Sequence, residues 1–314
     1  MLNPRELQIF LAAAETENFS EAARRLNISQ PAISMQIRSL EQKLDMPLFT
    51  RTGRQVTLTD SGRVLVPMAR DVIDNTIRLE EAMASLQGDV VGVLRLGCST
   101  AAGKYVVPRL MAGFHTRYPK VGLVCDVSGR QEALQKLRDG DVLLAMTSLR
   151  EPYKGIEYRP FLTDRIVLIV PPDHPWASLK RPLKPKELLS GQFILRESMS
   201  GTRSAVAEGL SWHDMSLDDL ERVMVLGNSE AICAAVQEKI GVAFVSTSVA
   251  CEATKAGTVV PVSIEGMELT TTLYLARDTD RPATRSQAAF WEFAFAPEND
   301  HIRTRPSLPA DRIC

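Results

Sequence analysis

The chain has 314 residues, 45% of them hydrophobic and 24% charged, and a formal net charge of −1. That length suggests about two domains, and the composition excludes a chain too polar to build a core. The near-zero net charge excludes a global positive field of the kind that announces a nucleic-acid partner. Apolar runs such as Ile166 to Val170 are far shorter than the roughly 20 residues needed to span a bilayer. The first residues, MLNPRELQIF, lack a basic segment followed by a long apolar stretch. The expectation is a soluble, cytoplasmic chain with no membrane partner.

The distribution of charge says more than its sum. Between Arg24 and Arg63, seven basic residues (Arg24, Arg25, Arg38, Lys43, Arg51, Arg54, Arg63) stand against three acidic ones (Glu41, Asp45, Asp60). A local basic patch is the electrostatic footprint of a DNA contact. The cysteines at 98, 125, 233, 251 and 314 are odd in number, widely spaced and without a CxxC pair. That pattern speaks against a disulfide framework or a zinc site. Cys98 and Cys125 fall in apolar strand-like runs and read as buried small hydrophobes. His115, His174 and His213 are scattered, with no partner spaced for metal or triad chemistry. No cofactor and no metal are expected.

In chain order, Asn3-Pro4-Arg5-Glu6 supplies a cap, a proline at the first helical position and a glutamate at the third. Leu7, Phe10, Leu11 and Ala14 then give the apolar face of an amphipathic helix. Ser20 is read as the cap of a second helix, EAARRL, and Ser29 as the cap of a third, with Pro31 tolerated in its first turn. In the third helix Ile33, Ile37, Leu40 and Leu44 form the buried stripe, and Gln30, Ser34, Met35 and Arg38 the outer face. This is a helix-turn-helix arrangement, whose second helix would enter a major groove of double-stranded DNA. Arg51 to Leu58 reads as a hairpin wing carrying Arg51 and Arg54. Thr59 caps a long helix to about Gln87, in which Leu65, Ala69, Val72, Thr76, Leu79, Met83 and Leu86 follow heptad spacing. Pro67 is expected to kink its first half. Such a seam suits pairing with a second copy.

After Gly88-Asp89 strand-like and helical runs alternate. Strands are expected at Val90–Gly97, Gly122–Val127 and Val142–Met146, with helices at Lys104–Tyr118 and Gln131–Asp139. The βαβαβ rhythm predicts a mostly parallel sheet. A second unit begins near Thr163, with strands at Arg165–Val170, Phe193–Leu195, Val223–Leu226 and Val242–Ser246. Its helices are placed near Pro185–Leu189, Ser204–Leu210 and Glu230–Lys239. The apolar runs Leu269–Ala276 and Ala288–Phe295 return to the first unit. The tail from Pro297 has few core residues and reads as disordered.

Four segments carry a specific resemblance: Phe19 to Leu26 (FSEAARRL), Ser29 to Ser34 (SQPAIS), Gln36 to Glu41 (QIRSLE) and Leu58 to Gly62 (LTDSG). In order and spacing they closely resemble the winged helix-turn-helix of LysR-type bacterial transcriptional regulators. The match is dense over residues 3–65 and weaker over 90–295. The resemblance implies a multidomain α and α/β protein. Its winged helix-turn-helix would span residues 1–60, a dimerising linker helix 61–88, and a two-lobed α/β effector-binding domain 89–296. Lobe I would cover about 89–162 and 266–296, lobe II about 163–265, and the tail 297–314. It further implies a homodimer through the linker helix, assembly to a homotetramer, and RNA polymerase as a partner at the promoter. A transcriptional regulator, not an enzyme, is expected.

Ser29, Gln30, Pro31, Ser34, Met35 and Arg38 match family positions that face DNA. Their chemistry agrees: Gln30 can bond adenine bidentately, and Pro31 can meet a thymine methyl. Ser34 and Arg38 can reach bases or phosphates. Met35 stands where many members carry arginine, so one polar contact is replaced by an apolar one. Arg51 and Arg54 would contact phosphates or a narrow minor groove. For the effector, Ser99 and Thr100 follow a strand and open a helix, where free backbone N–H groups favour an oxyanion. Ser200-Gly201-Thr202-Arg203 offers the same chemistry from lobe II, and Arg130 and Thr147 lie on the same strand-end edge of lobe I. The candidate effector site is thus Ser99, Thr100, Arg130, Thr147, Thr202 and Arg203, for a small molecule of anionic type. Two other readings compete: an enzyme with a DNA-targeting appendage, and an architectural DNA-binding protein with an idle cleft.

Overall fold

The computed structural model describes residues 2–52, 55–86 and 89–303. The chain divides into two compact units, residues 1–92 with 284–286, and residues 93–283 with 287–314. The long linker helix therefore groups with the N-terminal domain, and the boundary falls at Gly92, a few residues beyond the expected one.

In the first unit, α1 (Pro4–Thr16) opens with the capping box read from the sequence, Asn3 accepting from the Arg5 N–H and Glu6 reaching back to the Asn3 N–H. Helix α2 (Phe19–Leu26) is capped by Asn18, not Ser20: the Asn18 side-chain Oδ1 accepts from the N–H groups of Ser20 and Glu21. The helix thereby starts early enough to bury Phe19 against the core. Helix α3 (Gln30–Leu44) begins at Ser29, whose hydroxyl accepts from Ala32 N–H at 3.3 Å. Strands β1 (Phe49–Thr52) and β2 (Gln55–Leu58) form the antiparallel wing. The Phe49 ring packs against Phe10 and edge-on against Phe19, joining wing to helices. Glu41 ties the same wing to α3, accepting from Leu48 and Phe49 N–H. Lys43 Nζ donates to both oxygens of the buried Glu6 carboxylate, at 2.6 and 2.8 Å, and holds its pKa below the usual carboxylate value despite burial.

Helix α4 (Asp60–Ser85) is capped by Thr59 and runs without a break through Pro67. The heptad seam divides along it. Leu65 and Ala69 pack into the core of the first unit, whereas Val72, Leu79, Met83 and Leu86 are exposed, Leu79 at 64%.

The second unit is built on β3 (Gly92–Ser99), α5 (Thr100–Tyr105), α6 (Val107–Arg117), β4 (Val121–Ser128), α7 (Arg130–Asp139), β5 (Leu144–Thr147) and β6 (Ile156–Val170). It continues through β7 (Gln192–Arg196), α8 (Gly201–Ser211), β8 (Glu221–Leu226), α9 (Ser229–Gln237), β9 (Ala243–Ser246), α10 (Thr247–Lys255), β10 (Val260–Val262), β11 (Leu269–Asp278), α11 (Arg285–Phe295) and α12 (Asp300–Arg303). The helix expected over Lys104–Tyr118 is broken at Val106, because Pro108 cannot donate to the Lys104 carbonyl. Strand β6 begins nine residues before the expected Arg165, its first half hidden in the sequence by charged residues and Pro160.

The sheet runs β10-β6-β11-β5-β3-β4, with β9 on the other side of β6, and β7 pairs with β8. Strands β6 and β11 pair antiparallel along the whole of β11, Leu269 against Ile166 to Asp278 against Ile156. These two strands are shared by both lobes. Lobe I gathers β3, β4, β5 and helices α5–α7; lobe II gathers β7–β10 and helices α8–α10. Residues 297–303 form two short helical turns instead of the disordered start expected for the tail, and the rest of that tail, residues 304–314, lies outside the described residues. Asn299 donates to the Phe293 carbonyl, Ile302 is buried and the Arg303 guanidinium faces the Phe295 ring. Cys98, Cys125 and Cys233 are free thiols.

Candidate DNA-reading face and effector cleft

Helix α3 buries Ile33, Ile37 and Leu40, and the opposite face is left to solvent. Gln30, Pro31, Ser34, Met35, Arg38, Ser39 and Gln42 line one shallow concavity on that face. The structure therefore gathers Gln30, Pro31, Ser34, Met35 and Arg38 as the sequence expected, with Ser29 at the cap. Gln30 Nε2 donates to Ser34 Oγ at 3.0 Å, which holds the amide across the first turn. Met35 is 62% exposed, an apolar side chain presented to solvent. On the wing, Arg54 and the side chain of Arg51 lie outside the described residues.

The second unit contains a cavity of about 290 Å³ between its lobes. Lobe I contributes Ser99, Thr100, Arg130 and Ser148, lobe II Arg196, Glu197, Ser200, Gly201, Thr202, Ser229 and Ser246, and the shared strands Asp164, Thr271 and Leu273. Helices α7, α8, α9 and α10 all begin at this cavity, through Arg130, Gly201, Ser229 and the Ser246 cap. The convergence follows from topology, since each helix starts where a sheet strand ends on the same edge. The positive ends of four helix dipoles thus point at one small volume.

Side-chain donors add to them. The Nε of Arg130 and the hydroxyl of Ser246, both on residues that line the cavity, are buried without a hydrogen-bond partner. Burial also pulls the Arg130 pKa below the usual guanidinium value, opposed by Glu197 and Glu151. Arg130 Nη2 crosses the cleft to donate to Ser204 Oγ at 3.1 Å. The lobes approach so closely here that a Cβ on Gly201 would lie 2.6 Å from Ser148 Oγ and 3.3 Å from Arg130 Nη1. Two of the acidic side chains, Glu197 and Asp164, are hydrogen-bonded within the protein, whereas Glu230 keeps one buried carboxylate oxygen without a hydrogen bond. Glu197 receives two bonds from Arg196, at 2.7 and 2.8 Å, and Asp164 accepts from the hydroxyls of Thr247 and Ser248. Glu230 lies 3.2 Å from Lys104 Nζ; burial pushes its pKa up, but its own N–H, Tyr105 and Lys104 pull it down by more.

Of the expected effector residues, Ser99, Thr100, Arg130 and Thr202 line the cavity. Thr147 does not: it is fully buried, its hydroxyl donating to the Arg130 carbonyl at 3.0 Å and accepting from Leu149 N–H at 3.1 Å. Arg203 also turns away, donating to the Arg196 carbonyl at 2.9 Å inside lobe II. The cleft cation from lobe II is Arg196, which the sequence reading missed together with Asp164, Ser229 and Ser246. Each closes a strand or opens a helix, and the Asn228-Ser229-Glu230 cap was the one local signal available.

Residues 4–63 match the family described as bacterial regulatory helix-turn-helix protein, lysR family, and residues 87–296 match the LysR substrate binding domain. The RuBisCO operon transcriptional regulator of Allochromatium vinosum is 32% identical over 93% of the chain and 95% of its own length. A full-length OxyR variant from Pseudomonas aeruginosa shares the fold, with a TM-score of 0.71, 20% identity and coverage of 98% of this chain and 99% of that one. The CcmR regulatory domain of Synechocystis in complex with 2-PG superposes with a TM-score of 0.59 at 25% identity, over 65% of this chain and 95% of that one.

Proposed function

The chain belongs to the LysR family of bacterial transcriptional regulators, a family of DNA-binding regulators rather than enzymes, and on that premise we propose that its inter-lobe cleft takes a small oxyanion. The observation that carries this reading is the convergence of four helix N-termini and two unpartnered buried donors, Arg130 Nε and Ser246 Oγ, on one cavity whose acidic side chains Glu197, Asp164 and Glu230 each face a donor or cation of the protein. Buried donors without partners cost free energy, and an anion offering several acceptor oxygens would satisfy them together. Ser99, Thr100, Arg130, Thr202, Arg196 and Ser246 are the assigned contacts. Thr147 and Arg203 support the walls from behind. That the related CcmR domain is held with 2-PG supports the ligand class.

DNA reading is assigned to Ser29, Gln30, Pro31, Ser34, Met35 and Arg38 on α3, with Arg51 and Arg54 on phosphates. The exposed residues Val72, Leu79, Met83 and Leu86 of α4 support a homodimer, and pairs of dimers would give the tetramer. The protein would act in the cytoplasm, where it meets promoter DNA and RNA polymerase; no described helix is long and apolar enough to cross a membrane. The ligand acts by its affinity difference between two arrangements of the lobes, and can shift them by no more than that difference.

The test is a DNase footprint upstream of the protein's own gene at physiological salt, alone and with 2-PG, inorganic phosphate and small carboxylates. Protection at two spaced half-sites that changes with one anion is the expected result. Protection unaltered by every anion, with neutral sugars or amides altering it instead, would overturn the oxyanion assignment.

A further inference from the structure

We propose that Cys98 and Cys125 form a reversible intramolecular disulfide site in lobe I, oxidised by a small hydroperoxide. The two residues sit on neighbouring strands β3 and β4. Neighbouring strands run about 4.7–4.9 Å apart, inside the Cα separations that a disulfide spans. Their sulfur atoms already lie 3.3 Å apart, so closing to about 2.05 Å needs a movement of little more than 1 Å. Both are free thiols. Cys233, the other free thiol among the described residues, is buried in a separate apolar cluster of lobe II.

The pair is asymmetric in a way that assigns the roles. Cys98 is fully buried beneath α5, where a Cβ on Gly103 would lie 2.9 Å from its sulfur. Cys125 is only half-buried and lies on β4, at the end of the sheet order, so a small oxidant meets it first. The contact with Cys98 draws the Cys125 thiol below its usual pKa, against burial and Asp126, and pushes the Cys98 thiol up. The lower thiol is the better source of thiolate.

The chemistry then runs in two steps. The Cys125 thiolate attacks one peroxide oxygen; an S–O bond forms, the O–O bond breaks, and hydroxide (for an alkyl hydroperoxide, alkoxide) leaves and is protonated. Sulfur is oxidised by two electrons and the peroxide reduced by two. Cys98 next attacks the Cys125 sulfenic sulfur. The S–S bond forms, the S–O bond breaks, and the departing hydroxide takes the Cys98 proton as water. A dithiol reductant reverses the bond by exchange.

Cys98 directly precedes Ser99 and Thr100, so displacement of its sulfur reaches the cleft wall through the start of α5. That consequence rests on the effector reading above; the disulfide itself does not.

The test uses the full chain. It is treated with hydrogen peroxide, blocked with N-ethylmaleimide under denaturing conditions and digested with trypsin without reduction. The tryptic peptides Leu96–Lys104 and Val121–Arg130 each carry one of the two cysteines. The expected product is these two peptides joined, two hydrogens lighter than their sum, and released by dithiothreitol. Cys98→Ala should instead leave a dimedone-reactive sulfenic acid on Cys125. Both peptides recovered fully alkylated from the wild-type chain would overturn the proposal, as would a cross-link that persists in Cys125→Ser. The wild-type map needs no variant to fold, and it reads the disulfide whether or not any anion binds the cleft.

Discussion

Replacing Arg130 by methionine separates the two free-energy terms that the cleft sets against each other. In the ligand-free protein Arg130 makes one hydrogen bond across the cleft, to Ser204 at 3.1 Å, while its Nε is buried and unpaired. The first contributes about 0.5–1.5 kcal/mol and the second costs about 1–3 kcal/mol. Methionine removes both and fills similar volume, so at the centres of these ranges the protein without anion gains about 1 kcal/mol. For a unit of this size that is a Tm shift of about 2–4 °C. With an oxyanion bound, the same substitution loses a charge-assisted bond of about 1.5–3 kcal/mol, or roughly 10- to 150-fold in Kd. Calorimetric titration with 2-PG and with inorganic phosphate, alongside thermal unfolding without ligand, reads both quantities. Unchanged affinity for whichever anion binds the wild type would refute the placement of Arg130. A ligand-free Tm lowered by about 8 °C or more would show instead that Arg130 holds the lobes together.

Thr147 and Thr100 should part company: Thr147→Val leaves the Leu149 N–H unpaired and should destabilise by about 1–3 kcal/mol, whereas Thr100→Val should leave Tm unchanged and weaken anion binding. Arg38→Ala should weaken operator binding without unfolding, and lower the slope of log K against log salt by about 0.9 if Arg38 neutralises one phosphate; an unchanged slope and affinity would count against it. Leu79→Asp places a charge on a position that is 64% exposed in the single chain, so the monomer should stay folded while sedimentation shows the dimer lost. Glu6 titrates below its usual range because Lys43 bonds to it. Its stabilising share is complete above the unfolded value of about 4.3 and disappears as pH falls through the lower folded value. Glu6→Gln should therefore flatten the stability of the N-terminal unit across that acid window, as acid titration followed by circular dichroism would show.

What could be read from the sequence was what is local. The caps Asn3, Ser29 and Thr59, the stripe Ile33, Ile37 and Leu40, and the outer face of α3 each depend on residues within a turn or two of one another. Asn18 and Ser20 are both good caps two residues apart, and only burial of Phe19 decides between them. In the cleft, Thr100 and Thr202 announced themselves as hydroxyls at helix starts. Thr147 looked the same on paper, yet its hydroxyl is used by a loop that the sequence does not place beside it. Arg196 and Arg203 are seven residues apart, and which guanidinium enters the cleft is set by the turn at Ser200. The split of the α4 seam was equally hidden, since Leu65 and Leu79 have the same spacing and differ only in whether α1 lies against them.

Strands β6 and β11 carry a mechanical consequence. Because they are continuous through both lobes and laddered along ten residue pairs, the lobes are not beads on a flexible string. They are mounted on a common two-stranded torsion bar. Its soft point is where the register shifts between Leu273 and Tyr274, opposite Leu162 and Pro160; a bulge and a missing donor there lower the resistance to twist. Motion between the lobes is then small in angle and spring-loaded. It returns to its resting pose when the load is removed, without any hinge peptide having to find its way back.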